Sequence, residues 1–138
     1  MDKKLLLEKL NASTHNTLMQ TLEIEYTDVG EDFVKATMPV SSKVHQPAGL
    51  LHGGATVALA ESLGSAASHL FIDSKTQEVR GIEITANHLR SVRDGVVTAT
   101  AKAIHKGRST QLWEIRVTDE KDQLISICKL TTIVLDKK

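Results

Sequence analysis

From Ala55 to Ala67 the chain carries one charged side chain, Glu61, and every other residue is Ala, Val, Leu, Gly, Ser or Thr. The apolar segment runs from Gly53 to about Leu70, long enough for four to five helical turns. The period then changes. "EVRGIEITANHLRSV", "GVVTATAKAIHKG", "STQLWEIRVTD" and "QLISICKLTTIVL" are strand-like, with turn material between them at Arg93-Asp94-Gly95, Lys106-Gly107-Arg108 and Glu120-Lys121-Asp122. One long, mostly uncharged helix followed by four long strands predicts an α+β domain whose sheet, an antiparallel meander, wraps around the helix.

Upstream, "KKLLLEKL" reads as a short amphipathic helix and "THNTLMQTL" as a further helical turn or a loop. "LEIEYTDVG" and "FVKATMPV" alternate apolar and polar residues around Gly30-Glu31-Asp32, the pattern of a hairpin. The 138 residues fit one domain, 1–138, large enough to bury a real core. Basic and acidic residues balance at 17 each, so no net field attracts nucleic acid or an anionic membrane, and an aromatic fraction of 3% is too small for a base-stacking surface. The leucine run near the start breaks at Glu8-Lys9, too short for a signal peptide, and no stretch reaches the length of a membrane span. Cys128 has no cysteine to pair with and sits in a strand pattern, which predicts a buried structural thiol and a reducing, cytoplasmic location.

Glutamate is rarely buried without a partner, and the helix offers Glu61 no cation nearer than His52 and His69. Its carboxylate therefore stands out as a candidate for chemistry. Gly53 and Gly54 cost the helix roughly 1 kcal/mol each relative to alanine. They either let the helix pack tightly on the sheet or free the first-turn N–H groups, at the positive end of the helix dipole, to approach a ligand oxygen. His52 reads as a residue at the start of the helix bonded to a nearby carbonyl, Gln46 as a loop residue and Ser65 as a small residue on a packed helix, unless all three serve the same site. Ser65 shares a face with Glu61 four residues earlier and so can orient the carboxylate or a water. Gly53 and Glu61 are eight residues apart, about 12 Å along a helix, too far to flank one carbon at roughly 3 Å. Two such helices packed antiparallel in a dimer would bring them together.

The block "QPAGLLHGG" followed by "LAES", together with "KATMPV", "GIEITANHLRS" and "LTTIVL", resembles the hotdog-fold acyl-CoA thioesterases of the phenylacetate-pathway-like branch, over about Asn11 to Leu135. The resemblance implies a hotdog fold, a long central helix wrapped by an antiparallel sheet, and a homo-oligomer, at least a dimer, assembled further as a tetramer of two dimers. It implies an acyl-CoA substrate and needs neither cofactor nor metal. Glu61 becomes the nucleophile or general base and the Gly53 N–H the donor to the thioester carbonyl. Gln46 and His52 position the thioester, and Ser65 the water or carboxylate. Two further segments match ligand-contacting parts of the family: Gly81 with His88, Leu89, Arg90 and Ser91, and the turn His105, Lys106, Gly107, Arg108, Ser109 and Thr110. Read without the family, these are a strand and a basic turn in water; the cations suit the phosphates of coenzyme A. Ala48 stands where members often carry a bulky or aromatic residue, so an aryl-stacking pocket is not implied. Two other functions remain open, a hotdog dehydratase acting on hydroxyacyl thioesters and a non-catalytic acyl-CoA binder.

Overall fold

In the computed structural model, which describes residues 2–138, the chain runs through α1 (Lys3–Ala12), a short α2 (Leu18–Thr21), β1 (Glu25–Val29), β2 (Phe33–Pro39) and a single 3-10 turn (Ser42–Val44). It continues through α3 (Gly53–His69), β3 (Gln77–His88), β4 (Val96–Lys106), β5 (Thr110–Thr118) and β6 (Leu124–Asp136). All strands pair antiparallel in one sheet of order β1-β2-β4-β5-β6-β3. Helix α3 packs against β2, β3, β4, β5 and β6. Five strands at about 4.8 Å spacing span about 19 Å, wider than the 10–12 Å of a helix with its side chains, so the sheet has to curve around α3 to touch it throughout.

The buried face of α3 comprises Thr56, Leu59, Ala60, Leu63, Gly64, Ala67 and Ser68. Below it, Val97, Ala99 and Ala101 of β4 alternate inward with Trp113, Ile115 and Val117 of β5 and Cys128 and Leu130 of β6. The small side chains of β4 let the helix come close, and Trp113 fills the space beside them. The polar atoms of this core are satisfied: Trp113 Nε1 donates to Gln111 Oε1 at 3.0 Å, and Ser68 Oγ bonds Gly64 O at 2.9 Å and meets Thr132 Oγ1 at 3.1 Å. Cys128 is buried, as its strand pattern predicts, and burial pushes its thiol above the ordinary range.

The meander expectation holds only for β4, β5 and β6. β3 does not turn back onto β4; it pairs with β6 at the far edge, from Gln77 opposite Asp136 to His88 opposite Ser126. The segment read as a hairpin turn is instead a crossing link. Leu89 and Arg90 N–H both reach Ile125 O, Val92 O accepts from Leu51 N–H, and Gly95 O accepts from Val40 N–H. Past His88 the chain thus keeps its hold on β6 through Ile125, then bonds Leu51 and Val40, and so reaches β4 without pairing β3 with it.

The two sheet edges are treated differently. At β1, Asn11 of α1 donates through Nδ2 to Tyr26 O at 2.9 Å and accepts Tyr26 N–H at 2.8 Å, closing the edge where the strand register shifts. At β3, the outer edge pairs with no strand among the described residues. Ile82 there is 57% exposed. A long unpaired edge of this kind is a template for another chain.

Candidate active site

The N-terminus of α3 is shaped by the loop before it. Gln46 N–H donates to Leu50 O at 2.8 Å and Gly49 N–H to Gln46 O at 2.9 Å, with Gly49 at φ +78, a backbone region that favours glycine. The Gln46 side-chain oxygen accepts from Ala48 N–H. His52 caps the helix. Its Nδ1 accepts Gly54 N–H at 2.8 Å, which corrects the expectation that it bonds a carbonyl, because an N-cap side chain has to supply an acceptor. His52 O takes the N–H groups of Ala55 and Thr56. That leaves the Gly53 N–H with no acceptor among the described residues, at the positive end of a 17-residue helix.

Any side chain at Gly53 would have to displace the His88 ring. A Cβ there would lie 2.7 Å from His88 Nε2. The His88 ring is anchored at its other nitrogen, Nδ1, 3.0 Å from Ser126 Oγ. A cavity of about 300 Å³ opens at this point, lined among others by Gln46, Gly53, Thr56, His88 and Arg90. Leu89 and Ser91 also line it.

Glu61 and Ser65 open elsewhere. They line a largely apolar cleft of about 550 Å³ between α3 and the N-terminal helices, with Leu10, Met19, Tyr26 and Ala66. No residue lines both this cleft and the Gly53 cavity. Glu61 is exposed in the single chain and makes no ion pair or hydrogen bond among the described residues; its Oε2 rests against Gly81, 2.9 Å from where a Cβ would be. Ser65 shares the cleft without a bond to Glu61, and its carbonyl meets His69 Nδ1 at 2.9 Å. The single tyrosine, Tyr26, has its hydroxyl 3.5 Å from Ser62 O, and burial pushes its pKa up to about 12.

The two segments suited to phosphates lie at opposite ends of β3. Across the sheet, Lys106 pairs with Gln111, Gln111 with Thr132 and Thr132 with Gly81, so the turn from His105 to Thr110 shares the end of the sheet with Gly81 and Glu61. His88, Leu89, Arg90 and Ser91 follow seven or more residues later, about 23 Å along the strand. Lys106 Nζ stands 3.9 Å over the Phe71 ring, Gly107 closes the turn by donating to Thr110 O at 2.8 Å, Ser109 O accepts from Val134 N–H, and Arg108 is exposed. The sequence reading missed Ser126, whose contact with His88 exists only through cross-strand pairing, and the cleft residues Leu10, Met19 and Tyr26, which carry no local signal at all.

Residues 48–126 match the model of the thioesterase superfamily. The 1,4-dihydroxy-2-naphthoyl-CoA hydrolase of Escherichia coli is 46% identical over 133 residues, covering 96% of this chain and 97% of that protein. The proofreading thioesterase EntH of Cronobacter turicensis is 47% identical, over 94% and 93% of the two chains. A crystal structure of a mutant of thioesterase PA1618 from Pseudomonas aeruginosa superposes with a TM-score of 0.94 at 46% identity, covering 95% of this chain and 94% of that one. With its family match spanning more than half the chain and its relatives nearly all of it, the protein belongs to the thioesterase superfamily and has the hotdog fold.

Proposed function

We propose that the protein hydrolyses an acyl-CoA to the free acid and CoA, at a site shared between two copies of the chain. The observation that carries the reading is the separation within one chain of a free, dipole-backed N–H at Gly53 from the unpartnered carboxylate of Glu61. A two-fold axis crossing the open β3 edge midway between Gly81 and His88 would pair the strand antiparallel with its copy, setting Gly81 opposite the partner's His88. Glu61, resting on Gly81, would then face the partner's Gly53. The same operation brings the turn from His105 to Thr110 toward the partner's Arg90, so cations from both chains converge where a CoA would lie. The dimer is the smallest unit this reading needs, and a tetramer of two such dimers would leave the site unchanged.

In this site the Gly53 N–H polarises the thioester carbonyl and stabilises the oxyanion, while Gln46 and His52 hold the thioester in place. Glu61 attacks the carbonyl carbon or takes the proton of an attacking water, with Ser65 beside it, and CoA leaves. The acyl group lies in the apolar cleft at Glu61, roomy enough for a bicyclic aryl group. Given the relative in Escherichia coli, 1,4-dihydroxy-2-naphthoyl-CoA is the first substrate to test. The buried, unpaired Cys128 suits a reducing cytoplasm.

The test is hydrolysis of aryl-CoA, fatty acyl-CoA and acyl carrier protein thioesters by wild type and Glu61→Gln. Turnover of a CoA thioester that falls about 100-fold to 10,000-fold in the variant, with CoA binding retained, is the expected result. A variant keeping more than about a tenth of wild-type turnover removes Glu61 from the mechanism. Hydration of an enoyl thioester without hydrolysis favours a dehydratase, and stoichiometric binding without turnover favours a binder.

A further inference from the structure

The geometry points to His88 as the acid that protonates the departing thiolate, a role that rests on the shared thioesterase site proposed above. The buried Ser126 hydroxyl can donate to Asn87 O at 3.2 Å, and in that arrangement it accepts from a protonated Nδ1 of His88, 3.0 Å away. With Nδ1 engaged in this way, the Ser126 contact is the same whether or not Nε2 carries a proton. Nε2 is left as the atom that gains or loses a proton. It faces Gly53, 2.7 Å from the site a Cβ would occupy, at the N–H proposed to hold the carbonyl oxygen.

In a thioester, sulfur is bonded to the same carbon as that oxygen. The cavity wall continues from Gly53 and His88 to Leu89 and Arg90, the side to which the proposed site assigns the CoA phosphates. His88 therefore stands between the carbonyl and the rest of the leaving group, at the place of the sulfur.

Direct attack by Glu61 makes this proton necessary. The tetrahedral carbon then carries a carboxylate and a thiolate, and the carboxylate, with an ordinary acid pKa near 4.3 against about 8.5 for a thiol, leaves more readily. Unaided, the intermediate returns to substrate. With Nε2–H at sulfur, the C–S bond breaks, its electron pair goes to sulfur together with the Nε2 proton, and CoA leaves as the thiol. What remains is an anhydride between the acyl group and Glu61, beside a neutral His88. Water then attacks the anhydride and gives one proton to Nε2, the other staying on the hydroxyl of the released acid. Glu61 carboxylate and His88 imidazolium are restored. Protonating first and deprotonating second is the reversible use of one group that two-step displacements share.

The experiment is single-turnover thiol release from two thioesters of one acid, S-benzoyl-N-acetylcysteamine and S-phenyl thiobenzoate. Neither carries the CoA nucleotide, so lost phosphate contacts do not enter. Thiophenolate is stable enough to leave unprotonated. In His88→Gln, release of the alkyl thiol is expected to fall about 100-fold and release of thiophenol by less than about threefold. Ser126→Ala keeps the ring but removes its anchor, making Ser126 a positioning residue, and is expected to show the same preference with a fall of about tenfold. Equal falls on both esters, or no fall on either, overturn the acid role while leaving the thioesterase reading in place. A wild type that hydrolyses neither these esters nor any acyl-CoA overturns both.

Discussion

Replacing Gly81 by alanine separates the position of the Glu61 carboxylate from the stability of the fold. A Cβ built at Gly81 lies 2.9 Å from Glu61 Oε2, whereas ordinary contact begins at 3.4 Å, so the carboxylate has to retreat by about 0.5 Å. The atom in the way is the end of a flexible side chain exposed in the single chain, so moving it costs the fold little. Gly81 does not have a positive φ, and alanine at a compatible position gains about 0.4–1 kcal/mol by restricting the unfolded chain. The melting temperature should therefore stay level or rise by a few degrees. Activity should respond differently. Catalytic groups need to be held within about 0.5 Å, and a displacement of about 1 Å costs about 100-fold. Half that displacement predicts a fall in kcat of about tenfold, or about 1.4 kcal/mol in the barrier. The assay is steady-state hydrolysis of the best CoA thioester, with thermal unfolding and size-exclusion chromatography on the same samples. A Gly81→Ala enzyme keeping more than half of wild-type kcat would falsify the idea that Gly81 sets the place of the carboxylate. A joint collapse of activity and melting temperature would assign the glycine to packing.

Three further outcomes follow from the same geometry. Refolding a Glu61→Ala chain with a Gln46→Ala, His52→Ala chain, both inactive as homodimers, should restore about a quarter of wild-type activity, since half the dimers are mixed and half their sites are intact; no recovery in heterodimers verified by mass spectrometry rules out the shared site. Arg90→Ala and Arg108→Ala should raise KM more than they lower kcat, because contacts to a remote phosphate are equal in ground and transition states; an unchanged KM for CoA thioesters in both returns these residues to solvent. The Tyr26 phenol, at about 12 folded against 10.0 ordinarily, keeps its proton longer in the folded chain, so its contribution of about 3 kcal/mol is whole below pH 10 and lost as pH rises through 12. The protein has one tyrosine, and its ultraviolet titration should coincide with alkaline unfolding; ionisation near pH 10 in a folded protein would contradict its burial.

The central helix, the strands and the odd carboxylate are legible in the residues themselves. A helix of Ala, Leu, Val and Ser with one Glu can be read from composition because nothing else explains so few charges over four turns. The hairpin of β1 and β2 and the run β4-β5-β6 are legible because short polar turns force neighbouring strands to pair. The 12 Å between Gly53 and Glu61 follows from helix geometry before any coordinates exist.

Tertiary structure decided the rest. Alternation along β3 says that it is a strand but not which strand it joins; its place beside β6 is set by pairing from Gln77 opposite Asp136 to His88 opposite Ser126, residues far apart in sequence. That placement leaves the β3 edge open and separates the two cationic segments. His88 at Gly53, Ser126 at His88 and Glu61 at Gly81 are contacts between residues 35, 38 and 20 positions apart, made by strands crossing under one helix. Local sequence sets period and propensity; which side chains meet is set by how the sheet closes around α3, a property of the whole chain.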